Sequence, residues 1–211
     1  MTRIIVVRHG ESEANVKNLL AGHLDLDLTP LGYEQAEITA AHLAGEQLAA
    51  VYSSDLQRAV HTAEPHARLR GLEVKLCPAL REVCCGEWEG RTAKELAEAY
   101  PEPYLVGFRQ RFGTFEMPGG ESIPEVGERA HGALLEIAKA HPGQTVLAVS
   151  HGGTIRMLWA IISGIAAEQV STRLPFPSNA SYSVLEYDGE KLVPIEYSVD
   201  SHMPNVTHVH L

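Results

Sequence analysis

The sequence has little cysteine, a deficit of basic residues and no long apolar run. Only Cys77, Cys84 and Cys85 are present, and two of the three are adjacent. A disulfide between neighbouring residues would be badly strained, so the spacing gives no disulfide framework. We therefore expect free thiols in a reducing compartment rather than a redox or metal centre.

The charge balance is acidic, because 27 aspartates and glutamates face 17 lysines and arginines, for a formal net charge of −10. Such a chain is a poor non-specific ligand for nucleic acid or for an anionic membrane surface, and it has no basic stripe. No apolar run reaches the roughly 18 residues that a membrane span requires, and a strand-like run at the N-terminus leaves no room for a signal peptide. These features predict a cytoplasmic protein without nucleic-acid or membrane partners.

Strand-like and helix-like segments alternate along the chain. Apolar, β-branched runs at 3–7 and 144–149 are typical of buried strands, with shorter strand signals at 50–53 and 73–76. Asp188-Gly189 separates two more strand-like runs, as a hairpin turn would. Helical patterns are predicted to begin after four N-cap residues: Thr29, Asp55, Thr92 and Ser122.

This alternation predicts an α/β fold. We expect a three-layer α/β/α sandwich with a mostly parallel central sheet, helices on both faces and an antiparallel hairpin near one edge. Neither an internal repeat nor a linker interrupts the pattern, so residues 1–211 are expected to form one domain.

The first strand-like run ends in Arg8, His9 and Gly10. A buried strand holds the next residue rigidly, and a glycine after it lets another molecule approach the backbone. Arg8 offers a planar fork of donors to phosphate or carboxylate, while Ser12 and Asn15 add neutral hydrogen-bonding groups. The alternative is a histidine at a strand end whose partners are purely structural, since a three-residue motif is weak.

Other polar residues follow other predicted strands. In such sheets ligands bind outside the carboxyl ends of the strands, and His151 follows the late apolar strand as His9 follows the first. Arg58 would point back to the same crevice from near a helix N-terminus, where anions are favoured, and the helix starting at Gly152 offers a second such terminus. We therefore predict a site for a dianion.

A phosphoryl group bound there would face a nucleophile if His9 is neutral and the backbone holds its other ring nitrogen. Arg8, Arg58 and a protonated His151 would stabilise the phosphoryl oxygens, so no metal is needed. Glu82 is the candidate donor of a proton to the leaving alkoxide, because a carboxyl buried beside the substrate's negative charge stays protonated. The alternative for Glu82 is a surface charge paired with Arg81.

These residues resemble the histidine phosphatase superfamily, with its phosphoglycerate mutase-like fold. The resemblance implies a phosphohistidine intermediate on His9, a phosphate pocket of Arg8, Arg58 and His151 assisted by Asn15, and Glu82 as proton donor. It implies no cofactor, and Ser12, His23 and Gly152 join the phosphate-binding candidates. The matching motifs, in the family's order, are RHGES at 8–12, LTPLG at 28–32, SSDLQRA at 53–59, LRE at 80–82, GEWEG at 86–90, PGGES at 118–122 and VSHGG at 149–153.

Two activities are compatible with this resemblance. In cofactor-dependent mutases the glutamate is typically followed by an Arg-His-Tyr-Gly run, and an insertion carries more basic residues. Here Glu82 is followed by the uncharged Val83, Cys84 and Cys85, which is similar to the phosphatase branch. We therefore expect a metal-independent phosphatase of small organic phosphate monoesters, with a phosphoglycerate mutase as the alternative. Arg109 and Arg111 could bind a second anionic group or could simply be exposed.

The segment around 100–121 is the least regular in pattern and is expected to form a lid over the site. Its aromatic residues could contact the substrate or pack against the body of the domain, and Glu116 would disfavour a second anion if it faced the pocket. A phosphoserine, a sugar phosphate or a nucleoside-type phosphate would suit such a site, and a homodimer is left open. The aromatic residues in question are Tyr104, Phe108, Phe112 and Phe115.

Rival functions have weaker support. His202, His208 and His210 crowd the C-terminus as a metal site would, but histidines in a tail are usually solvated. A catalytically silent binding module on the same fold would be expected to lack a charged member of the site. Every member is present in this sequence.

Overall fold

The computed structural model describes residues 1–204, and its centre is a six-stranded sheet. In sheet order the strands are β3, β2, β4, β1, β5 and β6. The first four are mutually parallel, while β5 and β6 form an antiparallel hairpin at one edge. The strands are β1 (Thr2–Arg8), β2 (Leu48–Ser53), β3 (Val74–Leu76), β4 (Thr145–Ser150), β5 (Tyr182–Tyr187) and β6 (Leu192–Val199).

Helices cover both faces of the sheet, because successive side chains of a strand point to opposite sides. Ile4 and Val6 of β1 enter a core shared with α5 and α6, whereas Ile5 and Val7 enter a second core shared with α3. The three-layer α/β/α prediction is therefore confirmed. Seven α-helices lie in the described range: α1 (Glu13–Val16), α2 (Pro30–His42), α3 (Gln57–Arg68), α4 (Ala93–Ala99), α5 (Ile123–Ala140), α6 (Gly152–Ile162) and α7 (Val170–Arg173).

Three of the four predicted N-caps are confirmed. The side chains of Thr29, Thr92 and Ser122 each accept a hydrogen bond from a backbone N–H in the first turn of α2, α4 and α5. The prediction that Asp55 caps a helix is wrong, since α3 begins at Gln57 and Leu56 occupies the cap position without a side-chain bond.

A neighbouring loop supplies the missing cap of α3. Asp25 Oδ1 accepts from the Gln57 N–H at 2.7 Å. Asp55 instead accepts from Arg81, with 2.7 Å between its Oδ1 and Nε. Burial of Asp55 opposes this effect, but the Arg81 bond dominates and lowers the pKa of the Asp55 carboxyl.

The segment 100–121 is more ordered than its sequence pattern suggests. It contains a π-helical stretch at Glu102–Phe108 and a 3₁₀ turn at Phe112–Thr114. Tyr104, Phe108 and Phe112 are buried, so the regularity follows from the packing of aromatic rings rather than from helical periodicity. Within residues 1–204, no helix combines the length and the apolar character that crossing a membrane requires.

Candidate active site

A cavity lies at the carboxyl edge of the sheet. His9 directly follows β1, Ser54 follows β2 and His151 follows β4, and parallel strands end at the same edge. Two sets of residues border the cavity. The polar lining consists of Arg8, His9, Ser12, Asn15, Arg58 and Glu82, with Gly22, Gly152 and Gly153, and the apolar lining consists of Ala14, Leu19, Leu20, Ala21, Val83, Cys85, Phe108, Phe112 and Phe176.

His9 is fixed by its neighbour. Its Nδ1 lies 2.7 Å from the carbonyl oxygen of Gly10, and because a carbonyl only accepts, Nδ1 carries the proton and Nε2 carries the lone pair. Burial, followed by the nearby charges of Arg58 and Arg8, holds the pKa of His9 well below its ordinary value. The imidazole is therefore neutral, which is the form that a nucleophile needs.

His151 packs beside His9, with 5.1 Å between the ring centroids. It is fully buried, does not border the cavity among residues 1–204, and its Nε2 lies 2.8 Å from Ser54 Oγ. Burial and then the charge of Arg58 hold the pKa of His151 well below its ordinary value. Desolvation and a neighbouring cation thus disfavour the charged form of His151, and its protonation beside a bound phosphoryl group stays a prediction.

Two buried arginines supply the positive charge. Arg58 is 1% exposed and donates to the carbonyl oxygens of Leu24 and Gly22 at 2.8 and 2.9 Å. Arg8 donates to the carbonyl of Pro177, while its Nε is buried without a hydrogen-bond partner among residues 1–204. Burial lowers the pKa of Arg8 to about 10, with Glu82 opposing the shift. Both side chains are therefore cations at neutral pH.

Glycines beside these groups allow their close approach. A Cβ on Gly152 would lie 3.2 Å from Arg8 Nε, and a Cβ on Gly153 would lie 2.7 Å from Glu82 Oε1. The two glycines at the start of α6 therefore leave room for the cation on one side and the carboxylate on the other.

Glu82 occupies the N-terminus of α6. Its carboxylate accepts from the backbone N–H groups of Gly153 and Thr154, both at 3.0 Å, and from Thr154 Oγ1 at 3.1 Å. The alternative of a surface pair with Arg81 is wrong, since Arg81 pairs with Asp55. Glu82 thus takes two N–H groups of the helix start that was expected to bind the dianion, whereas Gly152, its first residue, borders the cavity beside Arg8.

The segment that carries Glu82 is held from behind by Arg129 on α5. The guanidinium donates to the carbonyl oxygens of Ala79, Arg81 and Glu82 at 2.9, 2.8 and 2.8 Å, and to the Glu121 carboxylate at 2.9 and 3.0 Å. Sequence reasoning missed Arg129, because an arginine within an amphipathic helix carries no local signal. The only sequence signal that could have pointed to Arg129 is its partner Glu121, which lies within the matched PGGES motif.

His23 lies near this segment but does not border the cavity among residues 1–204. Its Nε2 is 2.9 Å from the carbonyl oxygen of Glu82. Glu121 Oε2 lies 4.0 Å from the same nitrogen, and the His23 backbone N–H donates to Glu89 Oε1 at 2.8 Å, so its contacts lie behind the Glu82 carboxyl rather than in the cavity.

Ser12 and Asn15 both border the cavity, as expected from the first motif. They form the cap of α1, with Asn15 Oδ1 accepting from the Ser12 N–H at 2.9 Å. Asn179, which sequence reasoning missed, donates to the carbonyl oxygens of His9 and Gly10 at 3.1 and 3.2 Å and to Asn15 Oδ1 at 3.2 Å. It ties the loop after β1 to the chain before β5.

The aromatic residues of the segment 100–121 divide between the two expected roles. Phe108 and Phe112 border the cavity. Tyr104 and Phe115 pack against Trp88, with centroid separations of 5.9 and 5.4 Å. Arg109, Arg111 and Glu116 are exposed and do not border the cavity.

The histidine-rich C-terminus is only partly described. His202 stacks on His42, with 4.7 Å between centroids, and its Nε2 lies 3.1 Å from Thr39 Oγ1. His208 and His210 lie outside the described residues. Among residues 1–204, no group of three or more histidine, cysteine or carboxylate side chains is arranged to hold a metal ion.

The assembled site thus joins a neutral imidazole, two cations and a carboxyl group in one cavity. Comparison with known proteins identifies the family of this chain. The model of the histidine phosphatase superfamily (branch 1) matches residues 4–199, and the chain belongs to that family. The expected family and fold are therefore confirmed.

Individual relatives point in the same direction. The chain is 35% identical over 204 residues to phosphoserine phosphatase 1 of Hydrogenobacter thermophilus, covering 96% of this chain and 95% of the relative. It is 36% identical over 209 residues to the metal-independent phosphoserine phosphatase of Arabidopsis thaliana, covering 98% and 85%. A mycobacterial glucosyl-3-phosphoglycerate phosphatase in complex with VO3 superposes with a TM-score of 0.86 at 30% identity, covering 94% and 99%. The chain is accordingly a phosphoric monoester hydrolase.

Proposed function

We propose that this chain is a metal-independent phosphatase that hydrolyses small organic phosphate monoesters through a phosphohistidine intermediate on His9, with Glu82 as the proton donor. The observation that carries the proposal is the state of His9. Its Nδ1 is bound to the Gly10 carbonyl at 2.7 Å, and burial together with Arg58 and Arg8 lowers its pKa. The imidazole is therefore a neutral nucleophile that borders a cavity containing two cations.

The first half-reaction transfers the phosphoryl group to the protein. The lone pair of His9 Nε2 attacks phosphorus while the P–O bond to the alcohol breaks, and Glu82 gives its proton to the leaving oxygen. Glu82 enters this step as the carboxylic acid and leaves it as the carboxylate. Arg8 and Arg58 bind the phosphoryl oxygens and stabilise the transition state, and Ser12, Asn15 and Gly152 complete the phosphate site.

The second half-reaction restores the protein. Water occupies the place of the departed alcohol, gives a proton to the Glu82 carboxylate and bonds to phosphorus while the P–N bond breaks. The products are the free alcohol and inorganic phosphate, and His9 is neutral again. His151, packed against His9, keeps the attacking ring oriented and is close enough to take part in balancing charge on the phosphoryl group.

A phosphoglycerate mutase would need to retain a phosphorylated acid that carries its own carboxylate. The apolar lining offers no cation for that group within residues 1–204, and Arg109 and Arg111 are exposed away from the cavity. These observations favour hydrolysis. Residues 100–121 are the proposed lid, and the observation that supports it is that Phe108 and Phe112 of this segment border the cavity.

The test is a panel of phosphate monoesters assayed in EDTA for inorganic phosphate and for isomerised product. The panel includes an aryl phosphate, a sugar phosphate, a nucleoside monophosphate, phosphoglycerate and phosphoserine, the last because two relatives are named for it. We expect phosphate release without isomerised product. A requirement for added divalent metal, or isomerised phosphoglycerate forming faster than phosphate, would contradict the proposal.

A further inference from the structure

The charged groups that border the cavity are few, and the proposed function uses all of them. Within residues 1–204 the charged side chains in the lining are Arg8, Arg58 and Glu82. The two arginines bind the phosphoryl oxygens, and Glu82 moves the proton. No further charge borders the space that the alcohol part of the substrate would occupy.

That space is bordered by the apolar lining. Leu19 and Leu20 come from the loop after α1, and Phe108 and Phe112 come from the segment 100–121. Phe176 adds a third ring, and its Cδ1 would lie 3.3 Å from a Cβ on Gly152. Phe176 thus reaches close to the phosphate site.

We propose that the substrate's alcohol part is uncharged and predominantly apolar, such as an aromatic or aliphatic alcohol, rather than an amino acid or a glycerate. This inference rests on the proposed function, since it assumes that the phosphoryl group lies between Arg8 and Arg58. A carboxylate placed against the apolar lining would lose its hydration without gaining a partner, which is strongly unfavourable.

Arg156, a cation that does not border the cavity, supports two rings of the apolar lining. Arg156 lies 5.1 Å from the ring centroid of Phe112 and 4.6 Å from that of Phe176. It is 5% exposed and donates to the carbonyl oxygen of Leu174 from its Nε at 2.8 Å. Its guanidinium therefore lies behind the two rings, where the cation–π contacts hold the rings in place.

The test compares two esters of primary alcohols, phenethyl phosphate and phosphoserine, so that both make a similar demand on the proton donor. We expect kcat/KM for phenethyl phosphate to exceed that for phosphoserine at least ~10-fold, the lower end of what apolar pocket contacts discriminate. Equal values, or a preference for phosphoserine, would overturn the inference and leave the proposed function standing. Release of phosphate from neither ester nor from an aryl phosphate in EDTA would overturn the proposed function itself.

A pair of variants locates the preference in the lining. Leu19 is half-buried and borders the cavity, whereas Leu105 is an exposed leucine that does not. Leu19→Ala should lower kcat/KM for phenethyl phosphate several-fold more than kcat/KM for phosphoserine, with little change in inhibition by inorganic phosphate, and Leu105→Ala should change none of these quantities. Equal losses on both esters for Leu19→Ala, with unchanged phosphate inhibition, would contradict the assignment.

Discussion

The cavity combines residues held at the edge of the sheet with residues from the segments that connect the strands and helices. Arg8 and His9 stand at the end of β1 and Arg58 near the start of α3, and all three are 5% exposed or less. Leu19 and Phe108 come instead from connecting segments. In the proposed mechanism the residues at the sheet edge bind and attack the phosphoryl group, whereas Leu19 and Phe108 border the space proposed for the alcohol. Relatives named for phosphoserine and for glucosyl-3-phosphoglycerate match this chain along most of its length.

Apart from removal of the nucleophile, substitution of the proton donor is expected to lower turnover the most. Glu82 takes part in the proposed phosphoryl chemistry but lies in a connecting segment. Glu82→Gln keeps the shape and the hydrogen-bond acceptor but has no acidic proton. We expect kcat to fall by ~10²- to 10⁴-fold on alkyl phosphates, whose leaving oxygen needs protonation, and far less on activated aryl phosphates. Steady-state kinetics on the two ester types measures this, and equal losses on both would remove Glu82 from the role of acid.

A smaller effect is expected from the residue that positions this donor. Arg129→Met removes the guanidinium that binds three carbonyl oxygens of 79–82. A misplacement of the carboxyl by about 1 Å would cost up to ~10²-fold in kcat, again mainly on alkyl phosphates. KM for the aryl ester should change little.

Arg68→Met is the matched control, because Arg68 forms an ion pair with Glu37 on the exposed surface. It should leave both substrates unaffected. Loss of aryl and alkyl turnover to the same extent in Arg129→Met would indicate a general structural role rather than positioning of the acid.

The smallest predicted effect concerns a buried histidine outside both linings. His66 on α3 is fully buried with neither ring nitrogen bonded among residues 1–204, and burial followed by Arg70 lowers its pKa to about 3. As the pH falls through about 6.5, His66 therefore becomes protonated in the unfolded chain while it stays neutral in the folded protein. Its contribution to the free energy of unfolding is fully present above that pH and is lost progressively below it. Between pH 7.5 and 5.5, His66 alone should cost about 1.4 kcal/mol of unfolding free energy.

Urea unfolding of the protein and of His66→Leu at the two pH values measures this contribution. The variant should lose less stability on acidification. His9 and His151, whose pKa values are also lowered, act in the same direction in both proteins and cancel in the comparison. Parallel losses in the two proteins would show that His66 does not remain neutral in the folded state.

Sequence reasoning succeeded where a residue's place follows from local pattern. The positions of His9 and His151 follow from apolar strands that end in a polar residue and glycine, and their rings do meet. Sequence reasoning failed where contacts between distant segments determine a residue's role. The cap of α3 comes from Asp25, more than thirty residues earlier in the chain, and the pKa of His151 is lowered by burial that only the folded packing creates.

The N-terminus of α6 shows the same limit of sequence reasoning. Sequence reasoning correctly placed a helix start at Gly152, but only the fold brings Glu82 to its free N–H groups. Likewise, the support of that segment by Arg129 joins residues more than forty positions apart.

The central claim, a phosphoryl group carried by His9, is tested most directly by trapping it. The protein is mixed with an aryl phosphate, whose good leaving group makes dephosphorylation the slower step, and is quenched in alkali, where phosphohistidine survives. We predict one phosphoryl group, located by tandem mass spectrometry on His9, absent from His9→Ala and present in His131→Ala, whose half-buried ring lies on α5 away from the cavity lining. Phosphate on another residue, or full turnover by His9→Ala, would contradict the account.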